Sequence, residues 1–167
     1  MSTASTFDPY AIFEALDRHR VSYVVIGGFA RVVHGSGERT SGLDITPSLR
    51  EENLRRLGQA LVELGHRNDL DPVGLATEDR TTIQTEAGAV GVIAKPWGTR
   101  GYDDLRIRAF RENLGRGLRP QVASLADCVR MLAASSRDVD AERLQRLRRL
   151  MELERQLAPH RRLGIER

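Results

Sequence analysis

The stretch VSYVVIGGFARVVHGSGERTSGLDITPS (21–48) constrains the fold most, because strand and helix patterns alternate in it around a pair of glycines. Residues 21–28 begin with β-branched and aromatic side chains and predict a short buried strand closed by Gly27 and Gly28. Residues 29–35 predict a short helix that ends at Gly35. Residues 42–48 predict a second strand ended by Pro47. A strand, a glycine turn, a short helix and a strand in this order predict helices packed on a sheet.

The rest of the chain continues this alternation. Helices are expected at 9–20, at 48–65 with Ser48 and Glu51 as a capping box, at 101–113, at 125–134 with Ser124 as the N-cap, and at 140–157. Residues 81–96 predict a hairpin that turns near 86–88, and residues 119–125 a short extended segment.

These elements predict one domain, in keeping with a length of 167 residues. The expected fold class is α/β (α+β): a small mixed sheet with flanking helices and a C-terminal helical extension. We expect residues 1–122 to form the sheet domain and residues 123–158 to pack as helices on the same core. Residues 159–167 are expected to form a flexible tail.

Composition excludes several classes of protein. The single cysteine, Cys128, excludes an internal disulfide, and its place in an apolar helix predicts a buried, inert thiol. No apolar run is long enough to span a membrane, and the N-terminus lacks a signal pattern, so we expect a cytoplasmic protein that makes no membrane contact. The net charge is +3, and Lys95 is the only lysine among 26 basic residues. Arginines bind phosphates well, although most of these are expected to pair with carboxylates on helix surfaces.

Residues 23–48, YVVIGGFARVVHGSGERTSGLDITPS, resemble the opening of the minimal nucleotidyltransferase fold. The pattern is most similar to that of the bacterial branch that includes AbiEii-type and mycobacterial nucleotidyltransferase toxins. The resemblance continues at residues 52–65, 95–105 and 122–150 and so covers most of the chain.

The resemblance implies a site for a nucleoside triphosphate with Mg²⁺ or Mn²⁺. In the family, the two glycines approach the phosphates, and three carboxylates hold two metal ions. Carried over to this chain, the nucleotide-binding positions are two glycines, one threonine and three basic residues: Gly27, Gly28, Thr40, Arg39, Lys95 and Arg137. Asp44 takes the place of the second aspartate, which is both catalytic and a metal ligand.

Three positions of the family pattern lack the expected side chain. Gly42 stands in place of the first aspartate, Gly91 in place of the third carboxylate, and Leu132 in place of a lysine. Asp44 alone makes a weak metal site, because each missing carboxylate removes about 4 kcal/mol of attraction per unit charge at 4 Å. Glu38, Glu86 and Asp104 are the acids that could substitute.

Three hypotheses about function follow. The first is a pseudoenzyme of nucleotidyltransferase fold that binds a nucleotide, an RNA or a protein partner. The second is an active metal-dependent nucleotidyltransferase of the toxin–antitoxin type, which modifies an RNA or protein and pairs with a cognate antitoxin. The third is a non-enzymatic interaction module. Trp97 and Tyr102 flank a glycine-rich loop that either stacks on a base or covers the edge of the sheet.

Overall fold

The computed structural model of the protein describes residues 6–67, 70–135 and 139–164. Within these ranges the chain forms a mixed α/β structure, which confirms the predicted fold class. The helices are α1 (Pro9–Arg18), α2 (Gly27–Val33), α3 (Glu51–Glu63), α4 (Pro72–Thr77), α5 (Tyr102–Leu105), α6 (Leu125–Ala134) and α7 (Val139–Gly164). The strands are β1 (Tyr23–Ile26), β2 (Gly42–Pro47), β3 (Thr81–Thr85), β4 (Gly88–Val92), β5 (Phe110–Arg111) and β6 (Gln121–Val122).

The described strands form one mixed sheet in the order β3-β4-β2-β1-β6-β5. Strands β1 and β2 are antiparallel, as are β3 and β4, and β5 and β6. The β2–β4 and β1–β6 pairs are parallel. The central strand β2 therefore has β1 on one side and β4 on the other, and its side chains meet those of both neighbours.

Apolar side chains from the sheet and the helices form one buried cluster. Val25 of β1, Ile45 of β2, Phe13 of α1 and Leu61 of α3 are all essentially inaccessible to solvent. The C-terminal helices join the same cluster through Leu125, Cys128 and Leu132 of α6 and Leu147 of α7. The helix α7 continues to Gly164, so residues 159–164 of the predicted tail are helical.

The predicted start of α3 was wrong. Arg50 is the N-cap, and the side chain of Ser48 does not cap the helix. The backbone of Ser48 instead bonds to that of Ser22, and its carbonyl accepts a 2.8 Å hydrogen bond from Asn53. These bonds hold Ser48 against the chain before β1, so the helix begins after the position where the local sequence pattern starts it.

Two further predictions needed correction, and one helix was not predicted. Within 101–113 only Tyr102–Leu105 is helical, because Phe110 and Arg111 pair with Val122 and Gln121 as strand β5. Helix α4 was not predicted, although its N-cap Asp71 accepts a hydrogen bond from Val73 and Pro72 begins it. Glycines 27 and 28 were expected to close β1, and they form the first turn of α2.

The hairpin over 81–96 and the Ser124 cap were predicted correctly, since β3 and β4 pair antiparallel and the Ser124 side chain accepts from the Asp127 amide. None of the helices in the described ranges is both long and apolar enough to cross a bilayer.

Candidate nucleotide-binding cleft

A cleft of about 220 Å³ lies beside the centre of the sheet. Gly27 and Arg31 of α2 form one side, and Arg80, which precedes β3, forms another. The segment 93–97 after β4 and the helix α6 complete its walls. We call this the α2–α6 cleft. Residues distant in sequence thus meet in one cleft, which includes Gly27 and Lys95 of the predicted nucleotide-binding set.

Asp44 lies next to this cleft on β2, and its carboxylate is bound by an arginine. Arg80 donates from Nη2 to Oδ1 at 2.7 Å and from Nη1 to Oδ2 at 3.2 Å. The Nε of Arg80 also donates to the hydroxyl of Thr82 at 3.3 Å. A two-pronged contact of this kind uses both carboxylate oxygens and fixes the guanidinium plane.

Two glycines provide the room for this ion pair. Gly91 lies opposite Asp44 in the β2–β4 pair, and a β-carbon on it would overlap Oδ1 of Asp44. The same β-carbon would come within 2.8 Å of Nη2 of Arg80. Gly27 has a φ of +67°, and a β-carbon there would lie 2.5 Å from Oδ2 of Asp44. The Arg80–Asp44 pair therefore depends on the absence of side chains at both positions.

The acids that could have replaced the missing carboxylates are bound elsewhere. Glu38 pairs with Arg31, and Asp104 pairs with Arg130. Glu86 lies in the β3–β4 turn against Gly65. In the part of the chain that the structure describes, no three acids, histidines or cysteines are grouped to hold a metal ion. Because Gly42 and Gly91 supply no ligand atoms, the residues around Asp44 do not fit a two-metal centre.

A second ion pair lies at the base of the cleft. Arg31 donates to both oxygens of Glu38, at 2.8 to 3.2 Å, and both side chains are largely buried. Burial acts to raise the pKa of Glu38, but hydrogen bonds and charge from Arg31, with smaller contributions from Ser36 and Arg143, hold that pKa below its usual value. A charged Glu38 therefore fixes Arg31, with one edge of the pair facing the cleft.

Four of the residues predicted to bind a nucleotide lie in the wall of the cleft or behind it. Gly27 and Lys95 line the cleft. Gly28 and Thr40 lie behind it, since a β-carbon on Gly28 would lie 3.4 Å from Glu38 and 3.5 Å from the Thr40 hydroxyl. That hydroxyl donates to the carbonyl of Gly42 at 2.8 Å and fixes the entry to β2.

Of the two remaining arginines of the predicted set, one is described and does not line the cleft. Arg39 is exposed and is not among the lining residues. Arg137 lies outside the described residues.

The wall formed by α6 is apolar. Met131, Leu132 and Cys128 line it, and Leu132 therefore faces the cleft at the position where the family has a lysine. Burial raises the pKa of the Cys128 thiol to about 12. The thiol stays protonated near neutral pH, as expected for an inert packing residue.

Trp97 gives the cleft an aromatic edge. Its side chain is about half exposed, and the loop that carries it is anchored by Thr99, whose hydroxyl donates to the Pro96 carbonyl at 2.8 Å. Gly98, with a φ of +77°, packs against Ala134 of α6. The loop thus holds the indole at the rim. Tyr102 instead lines a separate small pocket with Tyr23 and Arg111.

Sequence reasoning missed Arg80 and Arg31. Arg80 stands in the polar run TEDRTT, which has no pattern that predicts a contact with a residue 36 positions earlier. For Arg31 a signal existed, since it and Glu38 flank the turn between α2 and β2 with opposite charges.

Comparisons with known proteins support the fold. The structure is similar to that of the antibiotic-resistance factor ANT(2'')-Ia in solution, with a TM-score of 0.56 and 16% identity over 95% of this chain and 92% of that one. It is also similar to the lincosamide antibiotic adenylyltransferase LnuA in its lincomycin-bound crystal structure. There the TM-score is 0.57 and the identity 15%, over 90% of this chain and 98% of that one. No family model and no curated protein matches the chain. The protein therefore has a nucleotidyltransferase-like fold.

Proposed function

We propose that this protein binds a nucleotide in the α2–α6 cleft and does not transfer it by the two-metal route. The observation that carries the proposal is the contact between Arg80 and Asp44. Asp44 is the only aspartate of the expected pair, and both of its oxygens accept hydrogen bonds from the guanidinium. Gly42 and Gly91 add no ligand atoms, so the carboxylates that would position a metal for phosphoryl transfer are absent from this site.

The chemistry of the cleft walls supports a nucleotide as the ligand. Arg31, Arg80 and Lys95 place basic groups on different walls of the cleft, beside the acids Asp79 and Asp140. Met131 and Leu132 supply an apolar surface, and Trp97 supplies an exposed aromatic face. A ligand with an anionic end and a flat aromatic end matches these walls.

The shared fold is a further reason to propose a nucleotide as the ligand. LnuA is described as an adenylyltransferase, and the fold is shared over nearly all of this chain. An active transferase is the second function to test, with an RNA or a protein as the acceptor that the toxin-like resemblance implies.

Binding is tested by titration of the protein with each of the four ribonucleoside triphosphates, both in EDTA and in excess Mg²⁺. Trp97 is the only tryptophan in the chain and lines the cleft, so its fluorescence reports occupancy directly. We expect saturable quenching with at least one nucleotide. The Lys95→Gln variant should weaken binding about fivefold through loss of one phosphate contact. The matched change Arg55→Gln, in the exposed Glu52 pair of α3, should have no effect. Absence of quenching in both buffers would contradict the proposal.

Transfer is tested by incubation with labelled nucleoside triphosphates, Mg²⁺ or Mn²⁺ and total tRNA. We expect no incorporation into RNA or protein. Incorporation that disappears in the Asp44→Ala variant would overturn the proposal and establish the active transferase.

A further inference from the structure

We propose that the α2–α6 cleft binds the phosphates of its nucleotide without a divalent cation, and that Arg80 takes the place of that cation beside Asp44. The inference rests on the proposed nucleotide binding and adds the ionic form of the ligand. It follows from the disagreement between the metal that the fold implies and the side chains that surround Asp44.

The first argument is geometric. A divalent ion needs several oxygen ligands around it, and Mg²⁺ in particular needs near-octahedral coordination. At this site both Asp44 oxygens already face a guanidinium, at 2.7 and 3.2 Å. Gly91 and Gly27 leave room for that arrangement and supply no further ligand. A metal ion at Asp44 would have to displace Arg80 and would gain a single carboxylate.

The second argument concerns the hydrogen bonds that Arg80 can still form. A guanidinium has five N–H groups in a rigid fork. Among the described residues, Asp44 accepts two of these and Thr82 accepts a third. The side chain is half exposed, with a relative accessibility of 50%. The two remaining N–H groups point to either side of the Asp44 contact, and each can bind a phosphate oxygen while Asp44 holds the edge between them.

The third argument concerns charge. Arg31, Arg80 and Lys95 line the cleft with Asp79 and Asp140, and Glu38 and Asp44 pair with Arg31 and Arg80, so the cleft offers a phosphate N–H donors and the Lys95 ammonium rather than an excess of positive charge. A metal-free triphosphate has more negative charge and more unshared oxygens than its Mg²⁺ complex. Arginine forms its strongest hydrogen bonds with such oxygens. The cleft therefore favours the metal-free form, and Mg²⁺ in solution competes with the protein for the same phosphates.

The test compares nucleotide affinities measured by Trp97 fluorescence in EDTA and in saturating Mg²⁺, with all four ribonucleoside triphosphates as probes. We expect the wild-type protein to bind at least about fivefold more tightly in EDTA, in line with one unit of charge at about 4 Å in water. Equal or tighter binding in Mg²⁺ would overturn this inference and leave the proposed nucleotide binding intact. No binding in either buffer would overturn both.

The Arg80→Gln variant makes the test specific, because it should reverse the sign of the metal effect. Without the guanidinium, binding in EDTA should weaken about tenfold, and Asp44 should become available to a cation, so that Mg²⁺ now improves binding. A protein that had merely lost its fold would lose binding in both buffers, and thermal unfolding checks for that. An unchanged preference for EDTA in Arg80→Gln would contradict the assigned role of Arg80.

Two further variants complete the comparison. Asp44→Asn combined with Arg80→Gln removes both charges of the pair, and its affinity should respond to Mg²⁺ less than that of Arg80→Gln alone. A response as large as that of the single variant would contradict the role assigned to Asp44. The Arg55→Gln control lies in an exposed pair on α3 and should retain the wild-type preference for EDTA.

Discussion

The Cα of Gly91 lies opposite the Cα of Asp44 in the parallel β2–β4 pair, and a β-carbon on Gly91 would overlap the Asp44 carboxylate. The glycine thus does more than remove a carboxylate from the family pattern. It creates the space that the Arg80 guanidinium enters, within 2.8 Å of where that β-carbon would be.

We expect Gly91→Ala to lower the free energy of unfolding by about 1–3 kcal/mol, because the added methyl overpacks the site and displaces the Arg80–Asp44 pair. Urea denaturation measures this change. Gly58→Ala is the control: Gly58 lies in α3, where a β-carbon would be 3.8 Å from Leu70. That substitution should be neutral or stabilise by up to about 1 kcal/mol. A Gly91→Ala protein as stable as the wild type would show that the site can relax around a side chain.

Restoring the family's carboxylates should require removal of Arg80. The double variant Gly42→Asp, Gly91→Asp should fail to bind Mn²⁺, since the guanidinium competes for the same carboxylates. Addition of Arg80→Ala should produce Mn²⁺ binding, because three carboxylates then share the site without a resident cation. Electron paramagnetic resonance of free Mn²⁺ measures both. Mn²⁺ binding by the double variant, which retains Arg80, would show that Arg80 does not prevent a metal ion from binding at this site.

The Arg31–Glu38 pair should stabilise the fold at neutral pH and stop doing so in acid. The pKa of Glu38 is held below its usual value in the folded protein. The stability that the charged carboxylate contributes is therefore fully present above about pH 4.3, the ordinary pKa of a glutamate, and it is lost as the pH falls through the lower pKa of the folded state. Glu38→Gln should therefore be less stable than the wild type at pH 7, and the gap should close toward pH 3. The midpoints of urea denaturation of the two proteins, determined from pH 3 to pH 7, measure this difference in stability.

The exposed pair formed by Glu142 with Arg146 provides the control for this pH experiment. Glu142→Gln should follow the wild-type curve, because exposed ion pairs contribute little. A gap for Glu38→Gln that stays constant down to pH 3 would contradict the role of its charge.

Cys128 should resist thiol reagents in the folded protein. Burial raises its pKa to about 12, so the thiolate fraction at pH 8 is about 10³-fold lower than that of an ordinary cysteine. Reaction with Ellman's reagent should be very slow in buffer and should release one equivalent rapidly in denaturant. Rapid reaction of the native protein would show that the cleft side of α6 opens to the reagent.

Ser124 and Ser48 should differ in their effect on stability, although the sequence predicts both as N-caps. Ser124→Ala should cost about 1 kcal/mol, because the Ser124 side chain accepts a hydrogen bond from the Asp127 amide. Ser48→Ala should cost less, within about 0.5 kcal/mol, because the Ser48 side chain does not cap α3. Equal losses in the two variants would contradict the observed start of α3. Urea denaturation of the two variants makes the comparison.

The difference between these two serines illustrates how far local sequence can predict the fold. Ser124 precedes a helix that no long-range pairing interrupts, so the local cap pattern decides its role. Ser48 follows a central strand, and its backbone bonds to Ser22 and Asn53. Residues 106–113 also lose their predicted helix, because Phe110 pairs with Val122. Local pattern is overridden wherever a distant strand offers a pairing partner.

The sequence by itself predicted most of the elements in their order, with α4 and β5 missed, the apolar faces of the main helices and the glycines at the Asp44 site. Hydrophobic periodicity, glycine and proline act over a few residues, and these signals are visible along the chain. Only the tertiary structure decided what fills the place of the missing carboxylates. Arg80 is 36 positions from Asp44. The two meet because β3 pairs with β4 and β4 pairs with β2. The sequence predicted the β3–β4 hairpin, whereas the β4–β2 pairing joins distant segments and has no local signal.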